Sequence, residues 1–297
     1  MASVAIDVSK VQGIVNLTRP GNALAVALGF SVGYFLSNSE FQFNFLTGLI
    51  ILLLLHSAAT LQNDLADIEI DRENKRTGAL LQKSVSVKNL SVLVWVLLYI
   101  TLVLALVTPD RQTNLVFIAI FLGLSWLYNK PPMYLSRRPL ASVITLGLCY
   151  GALPLLYGYV LSGRGLTSFI VVLGFLWFIQ RIATSILKDF KDVHGDKRFG
   201  KKTFYLVYGQ QKTALVSVAF SLLAYSGVIA LVFIKFGTST LSLALGFLVA
   251  VVALRNFLLR LNLLKTQDEK KLASIFSRSF HYQNQFDLVV LLWLITL

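Results

Sequence analysis

The chain has 297 residues, 56% hydrophobic and 14% charged, with 27 Lys and Arg against 14 Asp and Glu for a formal charge of +13. Soluble domains carry about 25% charged residues, so this composition excludes an ordinary soluble enzyme and is that of a polytopic membrane protein. The single cysteine, Cys149, excludes a disulfide within the chain and any cysteine-based metal site.

Residues 1–10 are polar and mixed, without the apolar stretch and cleavage site of a signal peptide. Apolar runs long enough to cross a bilayer, about 20 residues each, then recur nine times, near 14–36, 43–63, 89–108, 113–130, 139–161, 166–187, 213–234, 240–259 and 281–297. They are predicted to be helices, because backbone groups in hydrocarbon must pair within the segment and no barrel-like alternation is present. The predicted fold class is therefore all-α, a polytopic membrane protein of nine transmembrane helices. No linker interrupts it, and residues 1–297 read as one domain. Lys10, Arg19, Arg72, Lys75, Arg76, Lys83, Lys88, Lys130, Arg137, Arg138, the run from Lys188 to Lys212 and the run from Arg255 to Arg278 fall on one side of these spans. The other side holds only Arg111, Arg164 and Lys235. The excess of base predicts that the first side, with the N-terminus, is cytoplasmic. Topology thus explains the positive charge without nucleic acid.

Eight of the 14 acidic residues lie in two short windows, 64–73 and 189–196, on that same side. Asp64, Asp67 and Asp71 follow the pattern D-x2-D-x3-D, and so do Asp189, Asp192 and Asp196, 125 positions later. On one continuous helix such a triplet falls at i, i+3 and i+7, along one face. A solvated loop past a membrane span is the plain alternative. Repeated carboxylates repel one another, however, and cost more near a membrane. A divalent cation holding a phosphorylated ligand would offset that repulsion; Mg²⁺ favours carboxylates together with substrate phosphates. Each triplet is preceded by a polar residue, Asn63 or Lys188, and followed by a base, Arg72 or Lys197. Arg181 lies inside the sixth span, eight residues before Asp189, in phase to face the same cavity. His194 sits between two aspartates but is not an expected ligand, since diphosphate-bound Mg²⁺ prefers oxygen. His56 and His281 read as packing or interfacial residues, Arg19 as an interfacial anchor or a site residue, and Asp268 to Lys271 as a solvated turn.

Asn63-Asp64-x2-Asp67-x3-Asp71 resembles the first signature of UbiA-type intramembrane prenyltransferases. Lys188-Asp189-x2-Asp192-x2-Gly195-Asp196 is similar to their second Asp-rich motif. Thr18-Arg19-Pro20-Gly21-Asn22 resembles the entry to their first helix, and Tyr128-Asn129-Lys130 with Arg137-Arg138 sits where the family carries a tyrosine and bases after the fourth. Two features depart from the pattern. The run Asn74 to Ser84 lacks the family's prolines, and Pro132 stands four residues after Tyr128, where a lysine is usual.

The resemblance covers essentially the whole chain. It implies a central cavity with the active site at its cytoplasmic side and Mg²⁺ bound by Asp64, Asp67, Asp189 and Asp192, supported by Asn63, Asp71 and Asp196. Arg72, Lys130, Arg137, Arg138, Arg181, Lys188 and Lys197 are the implied phosphate-binding cations. Asn22 would orient the acceptor and Tyr128 would line the pocket of the allylic cation. The implied substrates are an isoprenyl diphosphate and a lipophilic acceptor, either an aromatic quinone-type precursor or a prenylglycerol phosphate. Rival readings are a terpene cyclase of the same superfamily, phosphoribosyl transfer to a polyprenyl phosphate, and an ion-coupled transporter. A transporter should hold its carboxylates near the bilayer midplane, whereas both triplets end spans.

Overall fold

The computed structural model describes residues 8–37, 41–74 and 86–296, and every regular element among them is helical. Lys75, Arg76 and Lys83 lie outside the described residues, with the rest of the segment 75–85. The first expected span, 14–36, is not one helix. Helix α1 (Val8–Leu17) ends before Arg19, which adopts a left-handed conformation (φ 52°, ψ 68°), and α2 (Pro20–Phe35) starts anew. Pro20 explains the break: it restricts the residue before it and suits the first position of a helix, where no N–H is needed.

Then come α3 (Phe43–Ala66), α4 (Ile68–Glu73), α5 (Val87–Val107) and α6 (Arg111–Asn129). Helix α7 (Pro139–Gly147) runs through a π turn, Leu148–Ala152, into α8 (Leu153–Leu161). Pro154, in the first turn of α8, has no N–H for the ladder, and the wider turn absorbs the mismatch. The chain continues as α9 (Ser168–Ser185), α10 (Val193–Arg198), α11 (Phe204–Phe236, broken at Gly209), α12 (Thr240–Leu261) and α13 (Glu269–Thr296).

Six of these rods are long and apolar enough to cross a membrane: Phe43–Ala66, Val87–Val107, Pro139–Leu161, Ser168–Lys191, Phe204–Phe236 and Thr240–Leu264. Helices α2, α6 and α13 occupy the other expected spans but stand outside that set. Helix α2 has only 16 residues. Helix α6 turns Asn114 and Ser125 inward, and α13 buries Gln283 and Asp287. Outward-facing Trp95, Tyr99 and Phe247 are each about 70% exposed, as side chains solvated by lipid would be.

Close backbone approach joins α2 to α8. A Cβ on Gly33 would fall 1.9 Å from the Leu155 carbonyl oxygen, and one on Gly158 would fall 2.0 Å from that of Phe30. Small residues make such contact possible where lipid leaves no hydrophobic force between helices. An aromatic cluster seals this region, with Phe117 and Tyr157 stacked at 4.0 Å. The other half is closed by Trp177, Tyr225, Phe286 and Trp293.

Through the interior between α9, α12 and α13 runs a buried polar network. Arg181 pairs with Asp287, which also accepts from Gln180 at 3.2 Å. Gln283, with its amide oxygen turned to Arg181 (3.1 and 3.2 Å), bonds Thr184 through its nitrogen. Arg260, expected in a cytoplasmic loop run, is instead fully buried at the end of α12; its guanidinium donates to the Ala183 carbonyl at 2.7 Å, Ser217 Oγ at 2.8 Å and Thr184 Oγ1 at 2.6 Å.

Candidate active site

Both acidic triplets share one backbone device, and it is not a continuous helix. Helix α3 stops at Ala66, Asp67 takes a non-helical conformation (φ −103°, ψ 12°), and α4 resumes. In the second triplet a 3₁₀ turn, Lys188–Lys191, leads to Asp192 (φ −116°, ψ 12°), and α10 resumes. In both, the carbonyl of the middle aspartate accepts from the N–H of the last, at 2.8 Å for Asp71 and 3.0 Å for Asp196. The expected face of three carboxylates on one continuous helix is therefore corrected: in each triplet the helix breaks at the middle aspartate. Short acidic side chains that compete with the helix ladder favour such positions.

The two turns meet. The Gly195 N–H donates to Asn74 Oδ1 at 2.6 Å, and a Cβ on Gly195 would lie 2.7 Å from that side chain. Arg198 pairs with Glu73 at 2.6 Å on the exposed flank. Buried between the motifs, Lys201 Nζ is 3.2 Å from Asp67 Oδ2 and 3.7 Å from Asp196 Oδ1. Lys188 Nζ is 2.9 Å from Asp189 Oδ1, close enough to pair though off the line of a hydrogen bond. Arg19, held by its left-handed turn, pairs with Asp64. Asn63 donates to Asn129 Oδ1 at 3.0 Å and reaches Asp67 Oδ2 at 3.4 Å.

Burial raises the Asp196 carboxyl to about 6, with Asp189 and Asp192 adding to it, while Lys201 and Lys188 act the other way. Burial and Lys188 pull the Lys201 ammonium down, but Asp67, Asp196 and Tyr128 outweigh them and leave it raised, hence charged. Among the described residues no three His, Cys, Asp or Glu side chains converge closely enough to hold a metal ion by themselves. The donors fit Mg²⁺ in a different way. All are oxygens, and one or two carboxylates completed by phosphate oxygens are its usual protein site.

Beneath the motifs lies a cavity. Of the expected site residues, Asn22, Asn63, Tyr128, Arg181 and Lys188 line it. Tyr128 is fixed by Ser142 at 3.2 Å. Arg181 contributes to the wall, but Asp287 already engages its guanidinium. Arg72, Lys130, Arg137, Arg138 and Lys197 are exposed and outside the lining, and Asp71 is half-buried. Arg137 stacks on the Tyr134 ring at 4.6 Å, while its carbonyl accepts from Lys202 N–H at 3.3 Å, tying this loop to the segment after the second motif. His194 points outward, 3.8 Å from Glu269.

The sequence reading missed Lys201, because one lysine in a basic cytoplasmic run looks like any other. It also missed His56, Thr184 and Gln283, which line the cavity. Arg19 is a site residue here: it lines the cavity as well as pairing with Asp64.

Comparison with known proteins shows the family. Residues 25–284 match the model of the UbiA prenyltransferase family. The chain is 26% identical over 220 residues to digeranylgeranylglyceryl phosphate synthase of Pyrococcus furiosus, covering 72% of this chain and 75% of that one. It is 30% identical over 161 residues to the chloroplastic chlorophyll synthase of Arabidopsis thaliana, covering 52% and 41%. In fold it is similar to a UbiA homologue from Archaeoglobus fulgidus bound to GPP and Mg²⁺, with TM-score 0.66, 18% identity and coverage of 96% and 100%. The chain belongs to the UbiA prenyltransferase family and is an intramembrane prenyltransferase.

Proposed function

We propose that the protein transfers an isoprenyl group from its diphosphate to a lipophilic acceptor, releasing diphosphate with the help of Mg²⁺, in a single domain of nine membrane-crossing helices with the motifs and the N-terminus on the cytoplasmic side. The observation that carries this reading is the meeting of the two acidic turns, joined through Asn74–Gly195 and Lys201, beside a cavity whose lining runs from Asn63 and Lys188 to Phe121, Phe276 and Phe280. Asp64, Asp67, Asp189 and Asp192, with Asn63, Asp71 and Asp196 behind them, are the residues that would hold the metal. When bound, Mg²⁺ would neutralise the diphosphate and make it a better leaving group.

The chain's own cations do the rest. Lys201 and Lys188 sit between the carboxylates and can turn to phosphate oxygens, where each well-placed charge contributes several kcal/mol as the leaving group develops charge. Tyr128 and Phe121, on the cavity wall, offer aromatic faces to an allylic cation, worth about 0.5–2 kcal/mol each. Exposed Arg72, Lys130, Arg137, Arg138 and Lys197 form a basic rim suited to drawing in anionic head groups rather than to gripping the reacting phosphates. Similarity to digeranylgeranylglyceryl phosphate synthases over about 70% of the chain favours the prenylglycerol phosphate acceptor over the aromatic one.

The test is diphosphate release from geranylgeranyl or farnesyl diphosphate with Mg²⁺, with and without acceptors. Release that depends on a prenylglycerol phosphate supports the reading. Release without any acceptor indicates cyclisation or hydrolysis, and no release with either donor contradicts ionisation at this site.

A further inference from the structure

His56 lies on α3 seven residues before Asn63, so the two residues share a helix face about two turns, or roughly 10 Å, apart. Ala59, Thr60 and Asn63 continue that face along the cavity wall. His56 lines the cavity; its side chain is 1% exposed, and its Nε2 is buried without a hydrogen-bond partner within the protein. Its plane is set from two sides: Tyr150 packs edge-on at 5.5 Å, and the backbone of Thr18 and Arg19 faces the ring. An oriented, desolvated imidazole with one nitrogen left open is costly for a fold unless a ligand completes it. Asn22 and Thr60 also line the cavity, both within hydrogen-bonding reach of the Tyr150 hydroxyl. A prenyl tail needs none of these groups; an acceptor carrying a hydroxyl does.

We infer that His56 Nε2 is the general base for an acceptor hydroxyl, so that the second substrate is an oxygen nucleophile held between His56, Thr60 and Asn22. This rests on the prenyl-transfer reading above. In the step, the allylic C1–O bond breaks and diphosphate leaves with the electron pair. The acceptor oxygen forms the new C–O bond, and its proton passes to Nε2, then to water.

The experiment uses the full chain with geranylgeranyl diphosphate and a geranylgeranylglyceryl phosphate acceptor, scoring transfer and acceptor-independent diphosphate release separately. His56→Gln and His56→Ala should slow transfer about 10²- to 10⁴-fold, leaving acceptor-independent release and the donor KM within about twofold of the parent. Imidazole should restore transfer to His56→Ala, more basic azoles should rescue better, and pyrrole, the same size but not basic, should not. Unchanged transfer in His56→Gln, a parallel fall in both reactions, or equal rescue by pyrrole would each overturn the assignment and leave His56 as packing. If the parent protein releases diphosphate yet prenylates no hydroxyl acceptor, the base assignment fails while ionisation at the motifs stands. If it releases none, both fail.

Discussion

At the scale of single residues, the site is a set of carboxylates kept apart by cations. Lys201 is central because it touches both motifs, and the sequence conceals it in a run of bases that topology alone explains. Lys201→Met should lower kcat/KM for the isoprenyl diphosphate by about 10²-fold or more, in line with loss of one well-placed charge; steady-state kinetics would show it, and a change under threefold would remove Lys201 from the site. Asp196 carries a pH signature. Its folded value of about 6 stands above the ordinary 3.8, so between these values the folded chain holds a proton that the unfolded chain has released. The raised value therefore favours the fold most below pH 4, and that benefit is lost as pH rises through 6. Melting temperature measured in Mg²⁺-free detergent should fall over that window in the parent and stay flatter in Asp196→Asn. Arg181 shows how sequence phase can be right in direction and incomplete in consequence. It does reach the cavity wall, but the partner that holds it there, Asp287, is 106 residues away.

At the scale of elements, the repeated device is the helix broken at a middle aspartate. The spacing of the triplets was legible, and so was their pairing across the chain. The break was not, because D-x2-D-x3-D fits an unbroken helix equally well, and only the non-helical backbone angles of Asp67 and Asp192 reveal the turn. The break also explains Gly195, whose missing side chain lets α10 close on Asn74. Gly195→Ala should part α4 from α10, costing about 1–3 kcal/mol as overpacking does, and should depress activity more than a matched substitution at the open position Gly123. Equal activity in the two variants would show that the contact between the turns is dispensable. Pro20 and Pro154 were likewise visible as letters, but their effects, a left-handed Arg19 and a π turn, depend on what packs beside them.

At the scale of the molecule, composition and hydropathy carried the all-helical class: the described residues are helical through most of each expected span, and six of the helices are long and apolar enough to cross a membrane. What they could not supply was the interior. Arg260 reads as a loop residue and the partners of Arg181 are not visible in the sequence, yet Arg260, Arg181, Asp287 and Gln283 form the polar spine between α9, α12 and α13. Removing one member of a buried pair leaves the other charge uncompensated, at about 3–5 kcal/mol. Asp287→Asn should therefore destabilise the protein by that order in a reversible detergent unfolding assay, with membrane insertion unchanged; a loss under 1 kcal/mol would mean that water or lipid reaches Arg181.

The central claim is that two turns grip one diphosphate through shared metal. A crystal structure with Mn²⁺ in place of Mg²⁺ and a non-hydrolysable geranylgeranyl thiolodiphosphate tests it most directly, since Mn²⁺ is located by its anomalous signal. The expected result is metal between Asp64 or Asp67 and Asp189 or Asp192, bridging phosphate oxygens, with Lys201 turned to the ligand. Metal bound at one motif alone, or diphosphate seated away from both, would contradict it.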